Sequence, residues 1–121
     1  MNTPTYFKIF PLFILLAASY SWSEAQRLNG DEIRAKLNGM RVVFQDGTAQ
    51  NFYQDGSTLY FNALGRPDRG AWKVESNQYC SWWSGSGWDC YWVEGQDNQI
   101  NFKALDGRSQ YPGEITGKIP K

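Results

Sequence analysis

Residues 70–93 constrain the fold of this chain most, because they hold both cysteines and five of the six tryptophans around a Ser-Gly-Ser-Gly sequence. Aromatic segments on either side of a short glycine-containing connection are typical of a β-hairpin. A turn centred on Gly85 puts Cys80 opposite Cys90 and Trp82 opposite Trp88. We therefore predict a Cys80–Cys90 disulfide at a non-hydrogen-bonded pair, where antiparallel strands approach most closely.

Alternation of side chains divides this predicted hairpin into two aromatic faces. One face, called the cystine face below, consists of Cys80, Trp82, Trp88, Cys90 and Trp92. The other consists of Tyr79, Ser81, Trp83, Asp89, Tyr91 and Val93. A preceding strand with a turn at Ser76 and Asn77 adds Trp72 and Val74 to the second face, and Lys73 and Glu75 to the cystine face. We predict that the second face is core and that the cystine face is partly exposed.

The N-terminal segment, residues 1–25, has the pattern of a secretory signal peptide. Lys8 is the only charge before a nearly continuous apolar run at residues 9–18, and Ser23-Glu24-Ala25 places small residues at the −3 and −1 positions of a cleavage site. The apolar run is shorter than the roughly 20 residues of a transmembrane helix. We predict export with no membrane insertion after processing, and an uncleaved anchor is the alternative.

The remaining chain, residues 26–121, fits a single domain. It carries 11 basic and 11 acidic residues once Lys8 and Glu24 are set aside. A balanced surface has no field that would gather nucleic acid or anionic lipid, so neither is an expected partner. Two cysteines in an exported chain fit one structural disulfide in an oxidising compartment. We expect a monomer.

The domain is predicted to be mainly β, with a short N-terminal helix. Asn29 and Glu32 form the pattern of a capping box, Leu28 and Ile33 are spaced as a hydrophobic staple, and Gly39 ends the helix. About seven short antiparallel strands then follow in a meander, forming a small barrel or a sandwich. The last segment, which includes Pro112, is predicted to be an edge strand or a loose arm.

Several chemistries lack their usual residues in this sequence. The chain has no histidine, and both cysteines are assigned to a disulfide. Histidine-dependent nucleophilic catalysis and the usual zinc patterns are therefore unavailable, and no cofactor or metal is expected. A carboxylate pair formed by Asp89 and Glu94 is the one enzymatic alternative. We expect a protein that is not an enzyme.

Most of residues 26–121 resembles small exported proteobacterial proteins with no assigned activity. The shared elements are Leu-Asn-Gly-x-Glu-Ile at residues 28–33, Tyr-x-Asp-Gly at 53–56, Gly-x-Trp-x-Val at 70–74, Tyr-Cys-x-Trp-Trp at 79–83 and Cys-Tyr at 90–91. The resemblance implies a periplasmic or secreted β protein and no catalytic residue. Gly-x-Trp also occurs in lipocalin-like barrels, and periplasmic lysozyme inhibitors are similar in size and carry a disulfide, which is an analogy of fold only.

The tryptophans allow two interpretations. Most of them could pack in the core, since aromatic side chains dominate small β cores. Alternatively Trp82, Trp88 and Trp92 form an exposed platform that binds a carbohydrate or an envelope protein. We expect an exported binding or accessory module acting through this aromatic surface beside the disulfide. The alternative is an inhibitor of a cell-wall or host hydrolase, acting through a loop at residues 64–68 or 94–98.

Export is directly testable. Mass spectrometry of the protein purified from fractionated cells should find an N-terminus at or near Gln26, because the cleavage pattern ends at Ala25. A full-length chain in the cytoplasm would contradict the prediction.

Overall fold

A computed structural model describes residues 25–120 as one short helix and nine strands. The elements are β1 (Gln26–Arg27), α1 (Gly30–Leu37), β2 (Met40–Phe44), β3 (Ala49–Phe52), β4 (Ser57–Phe61), β5 (Pro67–Glu75), β6 (Gln78–Trp83), β7 (Gly87–Gln96), β8 (Gln99–Ala104) and β9 (Gln110–Lys118). Except for Ala25, the predicted signal peptide lies outside the described residues. Within residues 25–120, no helix has the length and apolar composition needed to cross a membrane.

Strands β2 to β9 form a closed antiparallel barrel, in which each strand pairs with the next along the chain. The circle closes where β9 returns to β2, with Ile115 opposite Val42. The short strand β1 lies outside the circle and pairs with β7. The structure therefore decides for a barrel over a sandwich, with eight strands in the closed sheet and one extra strand, against about seven predicted.

The prediction of an edge strand or loose arm at the C-terminal end was wrong. Strand β9 pairs with β2 on one side and with β8 on the other. Proline is unfavourable in a central strand because it cannot donate to the ladder. Pro112 lies near the start of β9, where its carbonyl oxygen accepts a hydrogen bond of 3.2 Å from the Gln45 amide. Closure of the sheet therefore outweighs the unfavourable effect of a proline in a strand that is paired on both sides.

Residues 94–98, expected to form a polar turn, are mostly strand. Strand β7 continues to Gln96, and only Asp97 and Asn98 connect it to β8. Asp97 has a φ of 55°, as tight hairpin turns require. This segment therefore supplies no protruding loop.

Helix α1 covers one end of the barrel. The predicted capping box is present, since the Asn29 side chain accepts from the Glu32 amide and the Glu32 carboxylate accepts from the Asn29 amide, both at 2.9 Å. Gly39 follows the helix with a φ of 74° and donates to the Phe52 carbonyl at 2.8 Å. The buried residues Ile33 and Leu37 join the core cluster of the barrel. The helix thus seals the end at which β3–β4, β5–β6 and β7–β8 turn.

The central hairpin has the predicted register. Cys80 pairs with Cys90, and the disulfide joins them with their Cα atoms 4.0 Å apart, as in the closer type of antiparallel pair. Trp82 pairs with Trp88 on the outside of the barrel. Cys80 is itself buried, so the cystine face is exposed mainly at its tryptophans.

The interior face is the predicted one, with Trp72, Tyr79 and Val93 buried. The fully buried Phe52 ring packs against three other rings, with centroid distances of 5.6 Å to Trp72, 5.7 Å to Tyr79 and 6.1 Å to Phe102. Such aromatic pairs stabilise a core beyond the burial of their area. The half of the barrel next to α1 is therefore densely packed.

Truncation of tryptophans should separate the two faces. Trp72→Ala should lower the free energy of unfolding by about 3–5 kcal/mol, because it leaves a cavity beside Phe52. Trp82→Ala and Trp88→Ala should each cost about 1 kcal/mol or less, since these rings are largely exposed. Urea denaturation of the single variants measures the difference. Equal losses at Trp72 and Trp82 would contradict the assignment of faces.

Candidate functional site

The cystine face, where the sequence predicts a ligand platform, lies on the outer surface of the barrel. Trp82 and Trp88 lie opposite each other there and are 40% and 45% exposed. The Lys73 ammonium is 4.3 Å from the centroid of the Trp88 ring. The structure thus brings two of the three predicted tryptophans together, but one of them already carries a cation on its ring.

Trp92 is set apart from this pair. It lies four residues beyond Trp88 on β7, which corresponds to about 13 Å along a strand. It is half-buried, and the Arg27 guanidinium from β1 lies 4.4 Å from its ring centroid. Arg27 therefore occupies a ring face that a bound sugar or peptide would need.

A second aromatic surface lies inside the barrel, at the end that α1 leaves open. A cavity of about 540 Å³ opens there, which is within the range of small-molecule sites. Its aromatic lining comes from Phe44, Tyr60, Tyr79, Trp83, Tyr91, Phe102 and Tyr111. We call this space the mouth cavity. Each of the strands β2 to β9 contributes at least one lining residue, so the closed sheet positions the walls of the cavity.

Small residues on the interior face leave room for the mouth cavity. Gly70 lies on the same face as Trp72, and a Cβ atom at Gly70 would come within 2.6 Å of the Trp83 ring. That distance is shorter than any normal contact, so the Trp83 ring can lie over β5 only because residue 70 is glycine. Ser81, between Tyr79 and Trp83 on β6, is likewise small and buried. A larger residue at position 81 would fill part of the cavity, and a larger residue at position 70 would displace the Trp83 ring.

Gln50 is the buried polar group of the cavity wall, with only 6% of its surface exposed. Its Nε2 atom donates to Thr58 Oγ1 and to the Tyr79 hydroxyl, both at 3.0 Å. The Thr58 hydroxyl in turn donates to the Asn51 carbonyl at 2.7 Å. Because its one hydrogen is used there, Thr58 can only accept from Gln50. This fixes the orientation of the Gln50 amide, which is otherwise ambiguous.

The Gln50 Oε1 atom is left as a hydrogen-bond acceptor in the cavity wall. Among residues 25–120, no donor lies within hydrogen-bond distance of it, whereas both hydrogens of the amide are satisfied. This oxygen is not fully buried, so it is open to a donor inside the cavity. A second polar contact in the wall is the Trp83 indole N–H, which donates to Ser81 Oγ at 3.2 Å. The wall is therefore aromatic with a few fixed polar groups.

Two tyrosine hydroxyls of the cavity, those of Tyr79 and Tyr91, have raised pKa values. Burial raises the pKa of Tyr79 well above its ordinary value, although hydrogen bonds with Ser81 and Gln50 lower it in part. Partial burial also raises the pKa of Tyr91, and the neighbouring Tyr111 and Asp89 raise it further. Both groups therefore remain phenols, which can donate hydrogen bonds to a ligand.

Acidic groups alone carry charge in the lining of the mouth cavity. Within the described part of the chain, its ionisable carboxyl groups are those of Asp46 and Asp68, and no lysine or arginine lines it. Hydrogen bonds from the Thr48 hydroxyl and amide lower the pKa of Asp46, so this carboxyl is ionised at neutral pH. The mouth is thus locally negative, although the whole chain has a formal net charge of zero.

The carboxylates considered for a glycosidase-like pair do not share a site. Asp89 and Glu94 are an odd number of residues apart on β7, so they extend to opposite faces of the strand. Glu94 forms an ion pair of 3.2 Å with Lys103, whereas Asp89 lies beside Tyr91 on the interior face. No group of three or more possible metal ligands occurs within residues 25–120.

One of the two candidate inhibitory loops protrudes. Leu64, between β4 and β5 at the open end of the barrel, is 77% exposed. The Asn62 side chain accepts hydrogen bonds from the Leu64 and Arg66 amides at 2.9 and 3.0 Å, which fixes the loop in shape. The other candidate, residues 94–98, is the strand end described above.

Sequence reasoning missed the mouth cavity. It identified Trp83 and Tyr91 as interior but treated the interior as filled core. The available signal was the presence of small and polar residues, Gly70, Ser81 and Gln50, at positions whose neighbours are aromatic. Reading that signal requires the pairing of β3 with β4 and of β4 with β5, which brings Gln50, Tyr60 and Asp68 side by side.

Comparison with known proteins adds no assignment to this geometry. No protein-family model, curated protein or solved structure matches the chain.

Proposed function

We propose that this protein is an exported, non-catalytic binding module that holds a small ligand in the mouth cavity. The cavity has the volume, the aromatic lining and the small number of polar groups that are typical of ligand sites. Barrels of this strand number also commonly enclose one small ligand. The site proposed here lies inside the barrel, whereas the sequence pointed to the outer aromatic surface.

The observation that carries the proposal is the acceptor left on Gln50. The Gln50 amide is held in one orientation by Thr58 and Tyr79, and its Oε1 atom has no protein partner within residues 25–120. A fixed acceptor that is open to an aromatic cavity confers specificity, because a bound ligand without a matching donor would shield it from water and leave it unpaired. A residue needed only for packing would be better served by an apolar side chain.

The non-catalytic part of the proposal rests on the available side chains. The chain contains no histidine, both cysteines form the disulfide, and Asp89 and Glu94 extend to opposite faces of β7. A pair of carboxylates must flank the same bond to hydrolyse it. The third candidate, an envelope enzyme using this pair, therefore has no observation in its favour.

Export to the periplasm or exterior belongs to the same proposal. Its support is the signal-peptide pattern at residues 1–25 together with the Cys80–Cys90 disulfide. Structural disulfides persist mainly in oxidising compartments. The ligand would then be a small molecule of the envelope or surroundings.

The cystine face remains a second candidate surface. Trp82 and Trp88 are exposed side by side on the outside of the barrel, and exposed aromatic patches are enriched at sites of interaction. A carbohydrate or an envelope protein is the partner that such a surface fits. Lys73 over the Trp88 ring limits how much of that indole is available.

The indole N–H signals in a two-dimensional NMR spectrum distinguish binding in the mouth cavity from binding at the cystine face. The neutral aromatic probe N-phenyl-1-naphthylamine should shift the Trp83 signal in a saturable way, because Trp83 lines the mouth cavity. The Trp82 and Trp88 signals should stay in place. As a control, a cavity-filling Ser81→Phe variant should lose the Trp83 shift. Movement of Trp82 and Trp88 alone would favour the cystine face and overturn the proposal.

Inhibition of a cell-wall hydrolase is the second candidate function, and the protruding Leu64 favours it. A loop that is fixed by hydrogen bonds loses little entropy when it enters an active site. If the protein is an inhibitor, Leu64→Ala should weaken inhibition by about tenfold or more, as expected for an apolar anchor. Assays of peptidoglycan hydrolases with the wild type and this variant test it, with the exposed Leu105→Ala as the matched control. Absence of inhibition by the wild type would dismiss this function.

A further inference from the structure

We infer that the ligand of the mouth cavity is an organic cation, with an ammonium group carried on an apolar body. This inference rests on the proposed function and adds the chemical class of the ligand. Three features of the cavity, each independent of the others, support it: the charges of its lining, the arrangement of its rings and the acceptor on Gln50.

The charges of the lining favour a cation. Asp46 and Asp68 are the charged residues that the described part of the chain contributes to the cavity. A cation gains from both, whereas an anion of the same shape is repelled by both. Asp68 lies directly opposite Tyr60 in the sheet, so its carboxylate is next to an aromatic wall and not isolated on the surface.

The rings of the mouth are arranged as walls around the opening. Tyr60 and Trp83 form one edge-to-face pair, with centroids 6.1 Å apart, and Tyr91 and Tyr111 form another at 6.0 Å. These four residues come from four different strands. An ammonium group surrounded by several aromatic faces is stabilised by the ring quadrupoles, and this is how quaternary ammonium groups are recognised.

Cations of the protein itself occupy rings on the outside but not in the mouth. Lys73 lies over Trp88, Arg27 over Trp92 and Arg41 over Phe61. Within residues 25–120, no lysine or arginine lies over Trp83, Tyr91 or Tyr111. A cation from solution would therefore not compete there with a cation of the described residues.

The Gln50 acceptor extends the same pattern to the inner wall. Gln50 lies opposite Tyr60, which lies opposite Asp68, so the three side chains form a row across β3, β4 and β5. The Gln50 Oε1 atom accepts a hydrogen bond but cannot donate one. A primary or secondary ammonium N–H, or a hydroxyl carried by the cation, satisfies it. The Asp68 carboxylate, the faces of the Tyr60 ring and the Gln50 amide oxygen lie along this row, and all of them carry negative electrostatic potential.

Three probes with the same alkyl chain test the inference by calorimetry: hexylammonium, 1-hexanol and hexanoate. The cation should bind about tenfold more tightly than hexanol, from the ring faces and the two carboxylates together. Hexanoate should bind most weakly. The preference for the cation should shrink as salt rises, because the carboxylates are near solvent.

Substitutions show whether the preference comes from the mouth. Asp68→Asn should remove most of the preference for hexylammonium over hexanol. Tyr111→Leu, at an exposed position that should not affect folding, should also reduce this preference. Asp31→Asn is the matched control, since its carboxylate is exposed on α1 at the sealed end. It should change neither affinity.

The outcomes separate this inference from the proposed function. Equal affinity for the cation and hexanol, or tighter binding of hexanoate, would overturn the cation inference while the mouth stays a binding site. A preference for the cation that survives Asp68→Asn and Tyr111→Leu would place the cation elsewhere and overturn it as well. If none of the three probes binds and Trp83 shows no response to the neutral aromatic probe, both the inference and the proposed function fail.

Discussion

The pairing of β9 with β2 is the interaction on which the rest of the structure depends. It joins the two ends of the meander, so that no strand of the eight has a free edge. An open sheet of these sequences would expose its backbone groups and one aromatic face to water. Closure instead turns that face inward, where Phe52, Trp72 and Tyr79 share one core. The tolerance of Pro112 within β9 follows from the same closure.

Closure also makes the two ends of the barrel different. At one end α1 buries Ile33 and Leu37 and completes the core. At the other end Gly70 lets the Trp83 ring lie against β5 and Ser81 is small, and a cavity of about 540 Å³ remains. A cavity and a buried amide both reduce stability compared with a packed apolar core. Their joint presence at one end is the physical reason for placing function there.

The hairpin of residues 70–93 supplies aromatic side chains to both surfaces, and the disulfide holds them in one register. On the outer face, lysine and arginine side chains lie over Trp88 and Trp92. On the inner face, Trp83 and Tyr91 line a cavity whose charged lining residues, within the described part of the chain, are Asp46 and Asp68. The same residue types thus have opposite electrostatic surroundings. That contrast, and not the number of tryptophans, is what distinguishes the candidate site.

The sequence by itself determined the local structure: the capping box of α1, the turn at Gly85, the Cys80–Cys90 pairing and the division of the hairpin into an inner and an outer face. These depend on neighbouring residues, on turn chemistry and on strict alternation. Only the tertiary structure decided that β9 closes a barrel and that its mouth is hollow. Closure pairs strands from opposite ends of the chain, and a cavity depends on how side chains from many strands fill a shared space, so neither has a local signature.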